Sequence, residues 1–152
     1  MRRIVSTAYV AQVAFMASIA AWTIGCTEPI ELSNLAPRVR HNSLEVRDGE
    51  PVDVYYTIED AEGDDVDIAI DVCTTTDSCV SMTKSPGGDG TKNLPTLRRE
   101  RVLHRFVWSA ACDIGLDESV FIRITPRDDS LGDAADSATF TLSDLGYSGT
   151  CG

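Results

Sequence analysis

Two histidines, five cysteines and 24 acidic residues are the side chains with chemistry to offer in this 152-residue chain. Nucleophilic catalysis needs a Ser, Thr or Cys beside a base. Neither His41 nor His104 stands in such a setting, and no Gly-x-Ser-x-Gly elbow occurs. His104 alternates with Phe106 and Trp108, so it reads as a hydrogen-bonded residue on the buried face of a strand. Gly87-Gly88-Asp89-Gly90-Thr91-Lys92 has glycines enough for a phosphate loop. Its spacing is wrong, no strand–helix frame surrounds it, and Asp89 would repel phosphate, so a flexible loop is expected. Carboxylate pairs at glycosidase spacing are inevitable among so many acids, and no apolar cleft is legible around any of them. No catalytic residue is assigned, and the chain reads as a non-enzyme.

The acids are concentrated in two turns. Asp60, Glu62, Asp64 and Asp65 share one, and Asp128, Asp129, Asp133 and Asp136 share the other. If both turns emerge at one end of a sandwich, their repulsion must be relieved by water, by Lys or Arg, or by a hard cation. Calcium suits such a cluster because it accepts many oxygen ligands in a flexible geometry. An EF-hand is excluded, since Asp65 stands where that loop needs Gly and a strand pattern follows. Solvated loops are the plainer reading. A calcium site built from Asp60, Glu62, Asp64, Asp128, Asp129 and Asp133 is the alternative, and no other cofactor is implied.

The basic residues gather in Lys92, Arg98, Arg99, Arg101 and Arg105. If this stretch is a strand, Arg99, Arg101 and Arg105 face outward together. They would pair with Asp67 and Asp71 across a sheet surface, or else meet a polyanion or a partner. The net charge of −11 argues against nucleic acid, whose phosphates would be repelled. It argues equally against docking on an anionic membrane through a basic patch.

The N-terminus reads as an address. Met1-Arg2-Arg3 is a positive start, and Ile4–Ile24 follows without a charge. That is the layout of a secretory signal, with an uncleaved membrane anchor as the rival. Thr23-Ile24-Gly25-Cys26 resembles the lipobox of bacterial lipoproteins, although Thr23 replaces the usual Leu. The resemblance implies a signal peptide over residues 1–25 and a lipidated Cys26. A short tether would span residues 26–35, ahead of a domain over residues 36–152. It further implies a protein held by fatty acids in the cell envelope, with Thr27 after the cysteine favouring the outer membrane. Its partners would be the membrane, through the lipid, and an envelope protein or glycan.

Assigning Cys26 to a lipid leaves Cys73, Cys79, Cys112 and Cys151, an even set suited to an oxidising compartment. No Cys-x2-Cys pair supports zinc. Three pairings are open. Cys73–Cys79 would clasp a polar turn, and Cys112–Cys151 would then pin the tail Gly146–Thr150, which offers little else to hold it.

The elements that must position these groups follow a period of two. Val52, Val54, Tyr56 and Ile58 alternate with polar neighbours, as do Val66, Ile68, Ile70 and Val72. The same alternation runs through His104, Phe106 and Trp108, through Val120, Ile122 and Ile124, and through Ala138, Phe140 and Leu142. Weaker segments lie around Ala36–Val39 and Leu44–Val46. Glycine- and aspartate-rich turns separate the runs, and no segment beyond the leader carries a helical stripe. About seven short strands with one apolar face predict an all-β, antiparallel β-sandwich.

Ala36-Pro37-x-Val39 and Pro51-Val52-x-Val54-x-Tyr56-x-Ile58-x-Asp60-x-Glu62-x-Asp64 resemble the opening of immunoglobulin-like and fibronectin type III-like modules of bacterial secreted proteins. Val107–Asp113, Phe121–Asp128 and Phe140-Thr141-Leu142 resemble their late strands. The pattern departs at Cys73–Cys79 and at Cys112. This resemblance implies a fold and a cell-surface habit rather than an activity.

Overall fold

The computed structural model describes residues 34–46, 51–74 and 78–151, so the leader, Cys26 and most of the tether lie outside the described residues. Among the described residues seven strands form two antiparallel sheets. The first sheet contains β1 (Arg38–Val46), β2 (Val52–Glu59) and β5 (Arg101–Trp108), in the order β1-β2-β5. The second contains β3 (Asp67–Thr74), β4 (Cys79–Ser81), β6 (Val120–Arg127) and β7 (Ala135–Asp136), in the order β4-β3-β6-β7. The described residues are all-β, with one 3-10 turn among them at Ala110–Cys112. Among the described residues no helix is long and apolar enough to cross a membrane.

Alternation produces the sandwich directly. Val52, Val54, Tyr56 and Ile58 of β2 are fully buried. They face Trp108, Phe106, His104 and Val102 of β5 across the ladder. Ile68, Ile70 and Val72 of β3 meet Pro126, Ile124 and Ile122 of β6 in the same way. Side chains from both sheets merge into one apolar cluster, which also takes in Met82, Leu94, Leu142 and Tyr147. Each large aliphatic or aromatic group buried there contributes about 1.5–3 kcal/mol.

Three local expectations are corrected. The weak segments Ala36–Val39 and Leu44–Val46 become one strand, because a bulge between His41 and Ser43 absorbs a residue and keeps the apolar face inward. Ala138 to Leu142 forms no strand. The edge strand is Ala135–Asp136, after which Phe140 makes a single bridge to Val120. The tail is also better held than expected. Tyr147 is buried, and its N–H donates to the Leu142 carbonyl at 3.0 Å.

The glycine-rich segment is likewise not a flexible loop. Asp89 N–H donates to the Arg105 carbonyl at 2.8 Å, and the Asp89 carboxylate accepts the Arg105 N–H at 2.7 Å. Ile68 N–H donates to the Thr91 carbonyl, and Val66 and Leu94 exchange two backbone bonds. One segment therefore covers the open edge of β5 and clips it to the start of β3. Gly88 permits this approach, since it adopts φ +67° and a Cβ there would lie 2.6 Å from the Arg105 carbonyl oxygen.

Both disulfides lie at one pole. Cys73–Cys79 crosses the β3–β4 pair, and Cys112–Cys151 ties the segment after β5 to the tail. The larger loop of about 40 residues is worth about 4 kcal/mol by loop-closure entropy, and the smaller about 2 kcal/mol. Chemical denaturation of Cys112→Ser/Cys151→Ser should therefore show the greater loss, about twice that of Cys73→Ser/Cys79→Ser. Equal losses would contradict this ranking.

Candidate functional site

The opposite pole carries both acidic turns. Arg38, Glu59 and Arg101 form one cross-strand row at the end of the first sheet. Asp67 and Arg127 end the second sheet. The β2–β3 connection is short, so the two ends coincide, and Ala61 and Asp133 line one common cleft.

Asp60 organises this pole from within. It is 0% exposed, and its Oδ1 accepts the N–H groups of Glu62 at 3.0 Å, Gly63 at 2.5 Å and Asp64 at 3.0 Å. Its backbone carbonyl accepts the Arg99 N–H at 2.9 Å. One aspartate thus closes its own turn and anchors the Leu97–Glu100 turn of a distant segment. Asp128 does similar local work, accepting the Ser130 N–H at 2.6 Å.

The six acids proposed as calcium ligands are distributed as follows. Asp60 is in the interior, Glu62 and Asp128 are half-buried, and Asp64, Asp129 and Asp133 are exposed. Asp60 Oδ2, Glu62 Oε2 and Asp128 Oδ2 are buried without a hydrogen-bond partner. Among the described residues, no three His, Cys, Asp or Glu side chains are grouped closely enough to hold a metal ion.

The basic concentration separates into paired and unpaired members. Lys92 pairs with Asp67 at 2.8 Å, in place of the outward-facing arginines expected there. Arg105 reaches Asp53 at 3.4 Å and Arg101 reaches Glu59 at 3.3 Å, both on their own sheet. Asp71 lies on the other sheet, accepts the Ser81 hydroxyl and cannot serve as the expected partner. Arg99 is not in the strand. It sits in the preceding turn at φ +60° and faces the cleft with Arg38.

That cleft holds about 400 Å³ and is walled by Arg38, Arg99, Glu59 and Asp133, with Leu35, Pro37, Ala61 and Leu131. A smaller groove of about 140 Å³ adjoins it through Arg38 and Glu59, and adds Arg40, Thr57 and Arg101. Sequence spacing could not show Arg38 and Arg40 beside Arg101, because antiparallel register creates that proximity. Among the described residues, the lining of the larger of these two clefts includes no hydroxyl, thiol or imidazole. It can pair with an anion and cover an apolar group.

His104 lies outside this cleft. It is 3% exposed, its ring stacks on Tyr56 at 5.7 Å between centroids, and Nδ1 lies 3.7 Å from Asp89 Oδ2. Burial lowers its pKa below 6.5, with the Asp89 charge opposing. Burial raises the Tyr56 hydroxyl pKa, and Asp89 adds to that shift. Burial lowers the His41 pKa as well.

No protein-family model, no curated protein and no solved structure matches the chain.

Two outcomes follow from these contacts. Asp60→Ala should cost about 3 kcal/mol in urea denaturation, because three N–H donors lose a charged acceptor; a loss below about 0.5 kcal/mol would contradict the role given to Asp60. For His104 the sign is fixed by its lowered pKa. The unfolded chain takes up the proton first, so stability is full above pH 6.5 and falls as pH drops toward the folded value. Thermal melts between about pH 7.5 and 5 should show this loss, and His104→Phe should flatten it to the His41 contribution.

Proposed function

We propose that the chain is an exported, lipid-anchored protein of the bacterial envelope whose β-sandwich is a non-enzymatic binding or structural module. The pairing of cysteines carries this reading. Cys73–Cys79 and Cys112–Cys151 use four of the five, which leaves Cys26 in its lipobox-like setting as the remainder. Two cross-links in a small domain fit an oxidising compartment. Three strands facing four, with connections that cross between the sheets, support the immunoglobulin-like and fibronectin type III-like resemblance. The leader supplies the export route and Cys26 the attachment.

A second reading, a calcium-dependent adhesion or assembly module, draws on the unpartnered carboxylate oxygens of Asp60, Glu62 and Asp128. The commitment of Asp60 Oδ1 to three backbone donors favours the first reading.

The reading is tested at Cys26. Chain expressed with its leader in a bacterial host should be recovered from membranes with acylated Cys26 as its first residue. Cys26→Ser should release the domain in soluble form. An intact mass with an unmodified thiol at Cys26 would refute the anchor.

A further inference from the structure

We infer that the arginine-lined cleft is a docking site for an extended acidic peptide that also carries apolar side chains. The chain is acidic overall, at −11, yet Arg38, Arg40, Arg99 and Arg101 gather at one end of the first sheet's outer face. Among the described residues Arg38, Arg40 and Arg99 take part in no ion pair, and the Arg101–Glu59 bond is exposed on both sides, so it yields readily to a competing carboxylate. Arg99 adopts a left-handed backbone conformation that residues with a Cβ rarely accept. The Asp60 carbonyl holds it there, so the fold tolerates strain where it presents this guanidinium.

Spacing and lining select the partner. Alternate residues along β1, such as Arg38 and Arg40, are separated by about 6.8 Å, the repeat of same-side residues in any extended peptide. Guanidinium groups pair with carboxylates through parallel hydrogen bonds. Leu35 and Leu131 line the same cleft at 57% and 70% exposure, an apolar surface ready to cover an aliphatic side chain. Among the described residues no aromatic ring lines either depression, so they offer no stacking platform for a base. Glu59 and Asp133 temper the positive charge and disfavour a dense polyanion. Together these features fit a peptide that alternates acidic and apolar residues. The inference rests on the reading of the domain as a binding module and not on its anchor, so the two fail separately.

The test is fluorescence anisotropy of a labelled Glu-Leu-Glu-Leu-Glu peptide against the full-length chain in detergent at low salt. Saturable binding should weaken about tenfold or more in Arg38→Gln/Arg99→Gln. It should weaken about fivefold in Leu131→Ser, where the exposed side chain makes unfolding no explanation. Lys84→Gln, a charge change beside Trp108 at the disulfide pole, should stay within about twofold. No binding by the unsubstituted chain, equal binding by the arginine variant, or tighter binding of polygalacturonate than of the peptide would each overturn the inference.

Discussion

Two apolar faces excluding water from the space between them are the constraint on which everything else in this molecule depends. The rows Val52–Trp108, Val54–Phe106 and Tyr56–His104 on one sheet and Ile70–Ile124 and Val72–Ile122 on the other fill that space. Side chains alternate with a period of two, so burial of these rows also decides what faces outward. Arg38, Arg40, Glu59 and Arg101 sit together on the surface because Val39, Ile58 and Val102 sit below them. A one-residue slip in register would drive guanidinium groups into the core, at a cost no surface contact could offset.

The domain is secured differently at its two ends. Covalent bonds secure the end that contains Cys73 and Cys112. Hydrogen bonds secure the other, and they converge on Asp60, which fixes the β2–β3 turn through its carboxylate and the Arg99 turn through its carbonyl. Between them, the segment from Ser85 to Leu94 clips the edge of β5 to the start of β3. An exposed strand edge invites pairing with another chain, and this covering removes one such edge. The cleft therefore rests on polar geometry, while the cross-links stand well away from it.

Much of this architecture is legible in the sequence. Strict alternation in Val52–Ile58, Val66–Val72 and Val120–Ile124 locates the main strands and their buried faces, because half-buried strands impose that pattern directly. Non-local geometry was not legible. Nothing in the spacing of His41, Asn42 and Ser43 announces a bulge, so one strand read as two fragments. Phe140 and Leu142 alternate like strand residues, yet Leu142 is buried from an irregular tail beside Tyr147. Asp60 read as a ligand candidate because sequence displays a carboxylate but not the three N–H groups that surround it. The cleft escaped for the same reason, since Arg38 and Arg99 are joined only by the fold.

Native-state hydrogen exchange measures the central constraint most directly, because protection reports which backbone bonds open last. The slowest amides should lie in the β2–β5 and β3–β6 ladders, with Thr91 to Leu94 better protected than a free loop and the acidic turns exchanging faster. Protection that is uniformly weak across both ladders, or strongest outside them, would contradict a sandwich built on burial between these two sheets.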